Sequence, residues 1–233
     1  MQEIQEKYVQ RIFESIALHY DRMNAVISLH KHHQWRRTTM KLMNVNPGEN
    51  ILDLCCGTCD WTIALATAVG PTGKVFGLDF SPSMLAMGRE KIEKAHVANI
   101  ELLTGNALEI PFPDNCFDVV TIGFGLRNTT DYPQVVKEMY RVLKPAGKVV
   151  CLETSVPTIP GFRQLFIFYF QIVMPFLGKV FVNNYEAYNW LQQSTIAFPS
   201  KEKLACMFAE VGFSHITYTS HTGGVVATHI GIK

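Results

Sequence analysis

At 233 residues, 48% hydrophobic and 18% charged, the chain can bury one sizeable core, and one elaborated domain is expected rather than two. A net charge of +1 gives no field to attract a polyanion, so nucleic acid is not an expected partner. Six irregularly spaced cysteines make no secreted disulfide framework, and the opening MQEIQEKYVQ lacks a basic segment leading into an apolar run, so a reducing cytoplasm is the expected compartment.

Residues 1–45 read as helical and predict an N-terminal cap. Within them, HKHHQ (30–34) sets His30 and His33 three apart, but no carboxylate or cysteine accompanies them and no metal site is expected. From residue 50 short apolar runs alternate with helical patterns. NILDL (50–54), KVFGLD (74–79), NIELLTG (99–105), FDVVTIG (117–123) and GKVVCLE (147–153) read as strands covered on both faces. Between them, residues 60–69, 81–95 and 131–143 carry helical spacing. Ser81 with Pro82 and Asp131 with Pro133 mark two helix starts, and KPAG (144–147) predicts a helix end before the fifth strand.

This alternation over 50–153 predicts an α/β fold with a doubly wound, mostly parallel sheet. Residues 155–210 read as a helical insertion forming a lid. The tail 213–233 reads as two strands around a Gly-Gly turn, a hairpin that brings the sheet to seven strands. Inside the insertion, LFIFYFQIVMPFLGKVFV (165–182) is nearly continuous apolar sequence. Gln171, Pro175, Gly178 and Lys179 interrupt it, and the run before Pro175 is too short to cross ~30 Å of hydrocarbon. A buried or interfacial helix pair broken at Pro175 is expected.

The stretch LDLCCGTCDW (52–61) holds three of the six cysteines. Cys56 and Cys59 have a zinc-like spacing but no second pair follows, and Cys116, Cys151 and Cys206 are isolated. A redox-active pair fits in part, since such pairs stand at helix N-termini. The frame suggests another role. Asp53 ends the first strand, Gly57 permits a tight turn, a helix starts near Asp60, and Asp79 ends the second strand. A glycine loop after strand one lets a cofactor approach the backbone, and a carboxylate ending strand two holds ribose hydroxyls. D-L-C-C-G-T-C-D aligns with the D-x-G-x-G-x-G loop of S-adenosylmethionine-dependent methyltransferases, with cysteine at the outer glycine positions. It fits the G-x-G-x-x-G of nicotinamide enzymes less well. Asn106 and Ala107, after strand three, can meet an adenine edge, and Met84 its face. The competing readings are a turn residue for Asn106 and core packing for Met84.

With YDRMNAVISLHKHHQWRR (20–37) and GFGLRNTTDYPQVVKEMYRVLKPAGKVVCLETSVP (123–157) added, essentially the whole chain resembles the quinone-biosynthesis C-methyltransferases. These are class I S-adenosylmethionine-dependent enzymes that methylate demethylmenaquinol and, in some members, a ubiquinol precursor; the likeness is nearer the menaquinone branch. The resemblance implies that Thr58, Asp79, Asn106 and Ala107 bind S-adenosylmethionine, with Gly57, Asp53 and Met84 beside them. It implies that Tyr20, Arg127 and Asn128 approach the substrate. Cys59 departs from the family, which usually has Gly or Ala there; at φ > 0 a cysteine costs about 1 kcal/mol or more.

Methyl transfer is an in-line displacement, so the protein must align two carbons and manage protons. Arg127 can stabilise a phenolate or order a water but is a poor base, Asn128 can fix a quinol oxygen, and Tyr20 can orient the ring. Asp21 and His19 are further candidate proton acceptors, and Glu153 ends the fifth strand on the cleft side. Plain packing or capping roles compete for Tyr20 and Asp21, and a surface ion pair competes for Arg127. The expected substrate is a prenylated quinol, its tail held along residues 160–182 by Phe162, Phe166, Phe168, Phe170, Phe176 and Phe181. The same segment is expected to make transient contact with the inner face of the membrane, and core packing is its competing reading. A homodimer stays open as an assembly. Rival functions are a nicotinamide-dependent oxidoreductase and a membrane-attached binding protein that has lost catalysis.

Overall fold

The computed structural model describes residues 2–173 and 185–233. Three helices, α1 (Gln2–Ile16), α2 (Tyr20–Ile27) and α3 (Lys31–Met43), precede the sheet. The alternation then runs β1 (Asn50–Leu54), α4 (Asp60–Val69), β2 (Lys74–Asp79), α5 (Pro82–Ala95), β3 (Ile100–Thr104), β4 (Phe117–Gly123), a 3-10 turn at Leu126–Asn128, α6 (Tyr132–Val142) and β5 (Leu143–Thr154). After it come α7 (Phe162–Phe168), a π turn (Tyr169–Val173), α8 (Tyr185–Ala197), α9 (Lys201–Val211), β6 (Ser214–His221) and β7 (Val226–Ile232).

The seven strands form one sheet in the order β3-β2-β1-β4-β5-β7-β6, parallel but for β7, which runs antiparallel to both its neighbours. The expected helix starts are present: Ser81 accepts from the Met84 N–H and Asp131 from the Gln134 N–H. One boundary differs. KPAG does not separate helix from strand: β5 already pairs at Leu143 with Phe117, and the next pair is Lys148 with Val119. Residues 144–147 therefore bulge from an existing strand, with Ala146 at φ +63°.

Strand alternation divides the interior into two layers. Leu52 and Leu54 face α6 and α9 through Val135, Met139 and Phe208, whereas Ile51 faces Trp61 and Leu65 of α4 and Met43 of α3. A third cluster joins both helical segments. Ile12 and Ile16 of α1, Met23 of α2, Phe166 and Phe170 of the insertion and Tyr188 of α8 pack together against Met84. The N-terminal and inserted helices thus form one cap over the loops that follow the strands.

Glu6, Gln10 and Glu14, four apart on one face of α1, tie the cap down. Glu6 accepts from Asn106 (3.2 Å) and Thr130 (3.0 Å), and Gln10 donates to the Phe80 carbonyl (2.8 Å). Glu14 accepts from the Ser81 hydroxyl (2.7 Å) and from Ser83. Among the described residues no helix is long and apolar enough to cross a membrane. The expected break at Pro175, with Gly178, Lys179, Phe176 and Phe181, lies outside the described residues.

Candidate functional site

The loop after β1 turns through three left-handed residues, Cys55 (φ +52°), Gly57 (φ +54°) and Cys59 (φ +66°). These are the three positions that aligned with glycine, and two of them carry a side chain. Room for the cysteines comes from glycines opposite. A side chain on Gly125 would begin 2.4 Å from the Cys55 Cβ, one on Gly77 3.0 Å from the Cys56 Sγ, and one on Gly88 2.4 Å from the Cys59 Sγ. The turn is closed by the Cys59 N–H on the Cys56 carbonyl (3.0 Å) and anchored by the Cys56 N–H on the Leu78 carbonyl (3.1 Å). Burial pushes the Cys55 thiol well up, and a hydrogen bond to Cys59 together with burial does the same for Cys56. Protonated thiols are weak nucleophiles and weak ligands, which disfavours redox and metal roles.

This loop floors a cleft that also meets Asp79, Met84, Asn106 and Ala107. Asp79 holds the floor together: its Oδ2 accepts from the Gly57 N–H (2.8 Å) and its Oδ1 from the Ser81 N–H (2.9 Å). Burial raises its pKa to about 6, against those two N–H donors. The nearest atom to a side chain added at Gly57 would be Tyr20 Cε1, 3.8 Å away, so the Gly57 backbone is open to the cleft. Tyr20 and Asn128 line the same cleft.

Two expected cofactor residues are not on its wall. Asp53 shares the Ile51 face of β1, so its carboxylate points between strand and helix and accepts from Thr62 (2.7 Å) and Thr121 (2.7 Å). Burial raises its pKa to about 6 as well. Thr58 is also buried, but its hydroxyl donates to Asp21 Oδ1 (2.7 Å) and accepts from Lys91 Nζ (2.9 Å). The turn at Gly57 sends it toward the Asp21–Lys91 ion pair instead of the cleft.

A second, larger cavity of about 490 Å³ opens between the cap and the insertion. Phe162, Phe166, Phe168 and Phe170 line it, as does Arg127. Arg127 and Asn128 are adjacent on a 3-10 turn and so face different cavities. Arg127 donates to the Phe124 carbonyl (2.7 Å) and to Glu153 Oε1 (2.6 Å), and its backbone N–H meets Glu153 Oε2 (3.2 Å). Both side chains are buried, at 9% and 1% exposure, so this is a buried ion pair and not the surface pair weighed from the sequence. The Arg127 Nε is buried with no hydrogen-bond partner among the described residues. Asn128 donates to the Phe124 carbonyl (3.1 Å) and accepts from Trp190 (2.9 Å).

Phe124 stands in the walls of both cavities and is their shared partition. It sits at φ +57° between Gly123 and Gly125, its N–H on the Leu152 carbonyl (2.8 Å). Sequence reasoning named its neighbours but missed it, although two flanking glycines hinted at a special backbone. It also missed Glu6, which no local signal marks, and His32, which was weighed only as part of a metal-like run.

A search of family models matches the ubiE/COQ5 methyltransferase family over residues 1–233. The demethylmenaquinone methyltransferase of Geobacillus sp. (strain WCH70) is 58% identical over 233 residues, covering all of both chains. That of Listeria welshimeri is 57% identical over all of this chain and 99% of its own. Among solved structures, an S-adenosylmethionine-dependent methyltransferase from Aquifex aeolicus superposes with a TM-score of 0.63 at 18% identity, over 84% of this chain and 88% of that one. A Haemonchus contortus phosphoethanolamine N-methyltransferase 2 in complex with S-adenosyl-L-methionine gives 0.61 at 21% identity, over 82% and 39%. The structural likenesses concern the fold alone.

Proposed function

This chain belongs to the ubiE/COQ5 methyltransferase family, and from that membership we propose that its smaller cleft holds S-adenosylmethionine and its larger cavity a prenylated quinol. It is an S-adenosylmethionine-dependent methyltransferase of menaquinone biosynthesis, converting demethylmenaquinol to menaquinol. The smaller cleft fits the cofactor: an open glycine backbone, a buried carboxylate and an apolar strip at Met84 and Ala107 line it together. Asp79 would hold the ribose hydroxyls, Asn106 and Ala107 the adenine edge, and Met84 its face. The Cys55–Gly57 backbone would take the amino-acid end. Thr58 would act only by positioning that loop through Asp21 and Lys91. When bound, S-adenosylmethionine supplies an electrophilic methyl carbon and its sulfur keeps the bond's electron pair.

The observation that carries the reading is the partition at Phe124: a cleft with the Asp79 carboxylate on its wall on one side and an aromatic cavity on the other. A quinol head at this wall would reach the methyl group while its tail runs along α7. Arg127, paired with Glu153, would stabilise negative charge growing on a quinol oxygen, and its Nε, without a hydrogen-bond partner among the described residues, supports that role. Tyr20 and Asn128 orient the reactants from the cleft side. Leu29, Leu165 and Phe168 are exposed at the larger cavity, which supports contact of this face with a lipid surface.

The test is turnover of demethylmenaquinol with S-adenosylmethionine, read by mass as the gain of one methyl group on the ring. Arg127→Lys is expected to lower kcat at unchanged cofactor affinity; wild-type turnover in that variant would refute the assignment of Arg127. Flotation with anionic liposomes tests the lipid contact, and no association would favour plain packing of α7.

A further inference from the structure

Ser28 fixes the tautomer of His32. The Ser28 hydroxyl carries one hydrogen and lies 2.6 Å from the Asn24 carbonyl, which can only accept. His32 Nδ1 is 2.7 Å from the same oxygen, so the hydrogen of that contact belongs to Nδ1. The His32 backbone N–H fills the oxygen's other lone pair at 3.4 Å. Nε2 is left with its lone pair, and no hydrogen bond engages it among the described residues.

That lone pair belongs to a residue on the wall of the larger cavity, which Trp35, Phe124 and Arg127 also line. His32 is only 6% exposed. Burial first, then the charges of His33 and Arg36, lower its pKa to about 4; Asp60 on α4 pulls it up and His30 adds to the lowering. Lys31 and Arg127, which line the same cavity, bring further positive charge to that wall. At neutral pH the cavity therefore contains a neutral imidazole. Among the described residues that line this cavity there is no carboxylate and no other imidazole. Arg127 does not deprotonate, and Glu153 already accepts from Arg127 twice and from the Thr154 N–H.

We propose that His32 Nε2 is the general base that takes the quinol hydroxyl proton as the neighbouring ring carbon gains its methyl group. The assignment rests on the quinol reading given above. The O–H bond breaks toward Nε2, and its electron pair becomes the second bond of a ring carbonyl. The ring π electrons form the new carbon–carbon bond with the methyl group that the cofactor supplies. The methylated ring carbon then loses its hydrogen to water while the imidazolium returns its proton to the oxygen. The ring is again aromatic, with one methyl gained and one proton released.

A weak base suits this step. A ring hydroxyl starts near a pKa of about 10, as in tyrosine. It becomes strongly acidic as positive charge builds on the ring, so a base between these limits accepts the proton only as the carbon–carbon bond forms.

The experiment compares wild type with His32→Asn, which retains a donor toward Ser28, and with His32→Ala. Both are expected to lose roughly 10²- to 10⁴-fold in kcat while S-adenosylmethionine affinity is unchanged. Imidazole in solution should restore part of the His32→Ala rate, more so for more basic imidazoles. Independently of turnover, ¹⁵N spectra of the unliganded protein should place the His32 proton on Nδ1. Variant rates within a few-fold of wild type, a loss that imidazole leaves untouched, or a proton on Nε2 would each overturn the assignment. Failure of the wild-type protein to methylate the quinol would remove the substrate reading, and the base assignment with it.

Discussion

The Cys59 sulfur lies 2.4 Å from the point where a side chain on Gly88 would begin, so the thiol fills the space that α5 leaves open by having no Cβ there. The departure from the usual glycine loop is thus matched across an interface, while its left-handed backbone at φ +66° keeps a strain of about 1 kcal/mol. Gly88→Ala alone should destabilise by roughly 1–3 kcal/mol through overpacking. In a Cys59→Gly background the same change should be nearly neutral, because the methyl enters the vacated space. Thermal unfolding of the two single variants and the double variant gives the coupling; additivity would show that the contact does not matter.

Breaking the Arg127–Glu153 pair should leave a buried charge without its partner. Glu153→Ala is expected to lose about 3–5 kcal/mol. Combining Arg127→Met with Glu153→Leu should return most of that stability but not the turnover. Chemical denaturation followed by activity assay separates the two effects.

Asp53 and Asp79 make stability depend on pH in an unusual sense. Both have folded pKa values of about 6 against an ordinary 3.8. Between those values the folded chain holds more protons than the unfolded one, so these two groups make stability fall as pH rises from about 4 to 6, with the full penalty above. Asp53→Asn cannot ionise and can keep hydrogen bonds to Thr62 and Thr121. Its Tm should exceed wild type at pH 7, and the gap should close toward pH 4. A gap independent of pH would refute the raised value.

Removing the Glu6, Gln10 and Glu14 ties together, as a triple alanine variant, should loosen α1 without unfolding the sheet. S-adenosylmethionine should dissociate several-fold faster, because Glu6 and Phe13 line the cleft proposed for it. Limited proteolysis within residues 2–16 should accelerate, and added cofactor should slow it. An unchanged dissociation rate in stopped-flow fluorescence would show that α1 does not guard the cleft.

Much of the fold was legible because its signals are local. Runs such as FDVVTIG, rich in β-branched residues, read as strands buried on both faces, and Ser81 and Asp131 announce helices through hydrogen bonds spanning three residues. Asp79, Asn106, Ala107 and Met84 were legible for a related reason: they follow strand ends, and strand ends in a parallel sheet share one edge. The side-chain direction of Asp53 was not legible because a strand's alternation fixes that two residues differ in face, not which face meets the cleft. That of Thr58 was not legible because its partners, Asp21 and Lys91, lie 37 and 33 residues away.

By itself, then, the sequence determined the order of elements, the parallel sheet, the glycine-like loop and the family, since each depends on spacing or motif within a few turns of chain. Only the tertiary structure decided that Arg127 and Asn128 face different cavities, that Phe124 divides them, that Glu6 closes one and His32 stands in the other, and that three glycines make room for three cysteines. Those relations join residues up to 124 positions apart. They arise from close packing across elements, which no local pattern encodes.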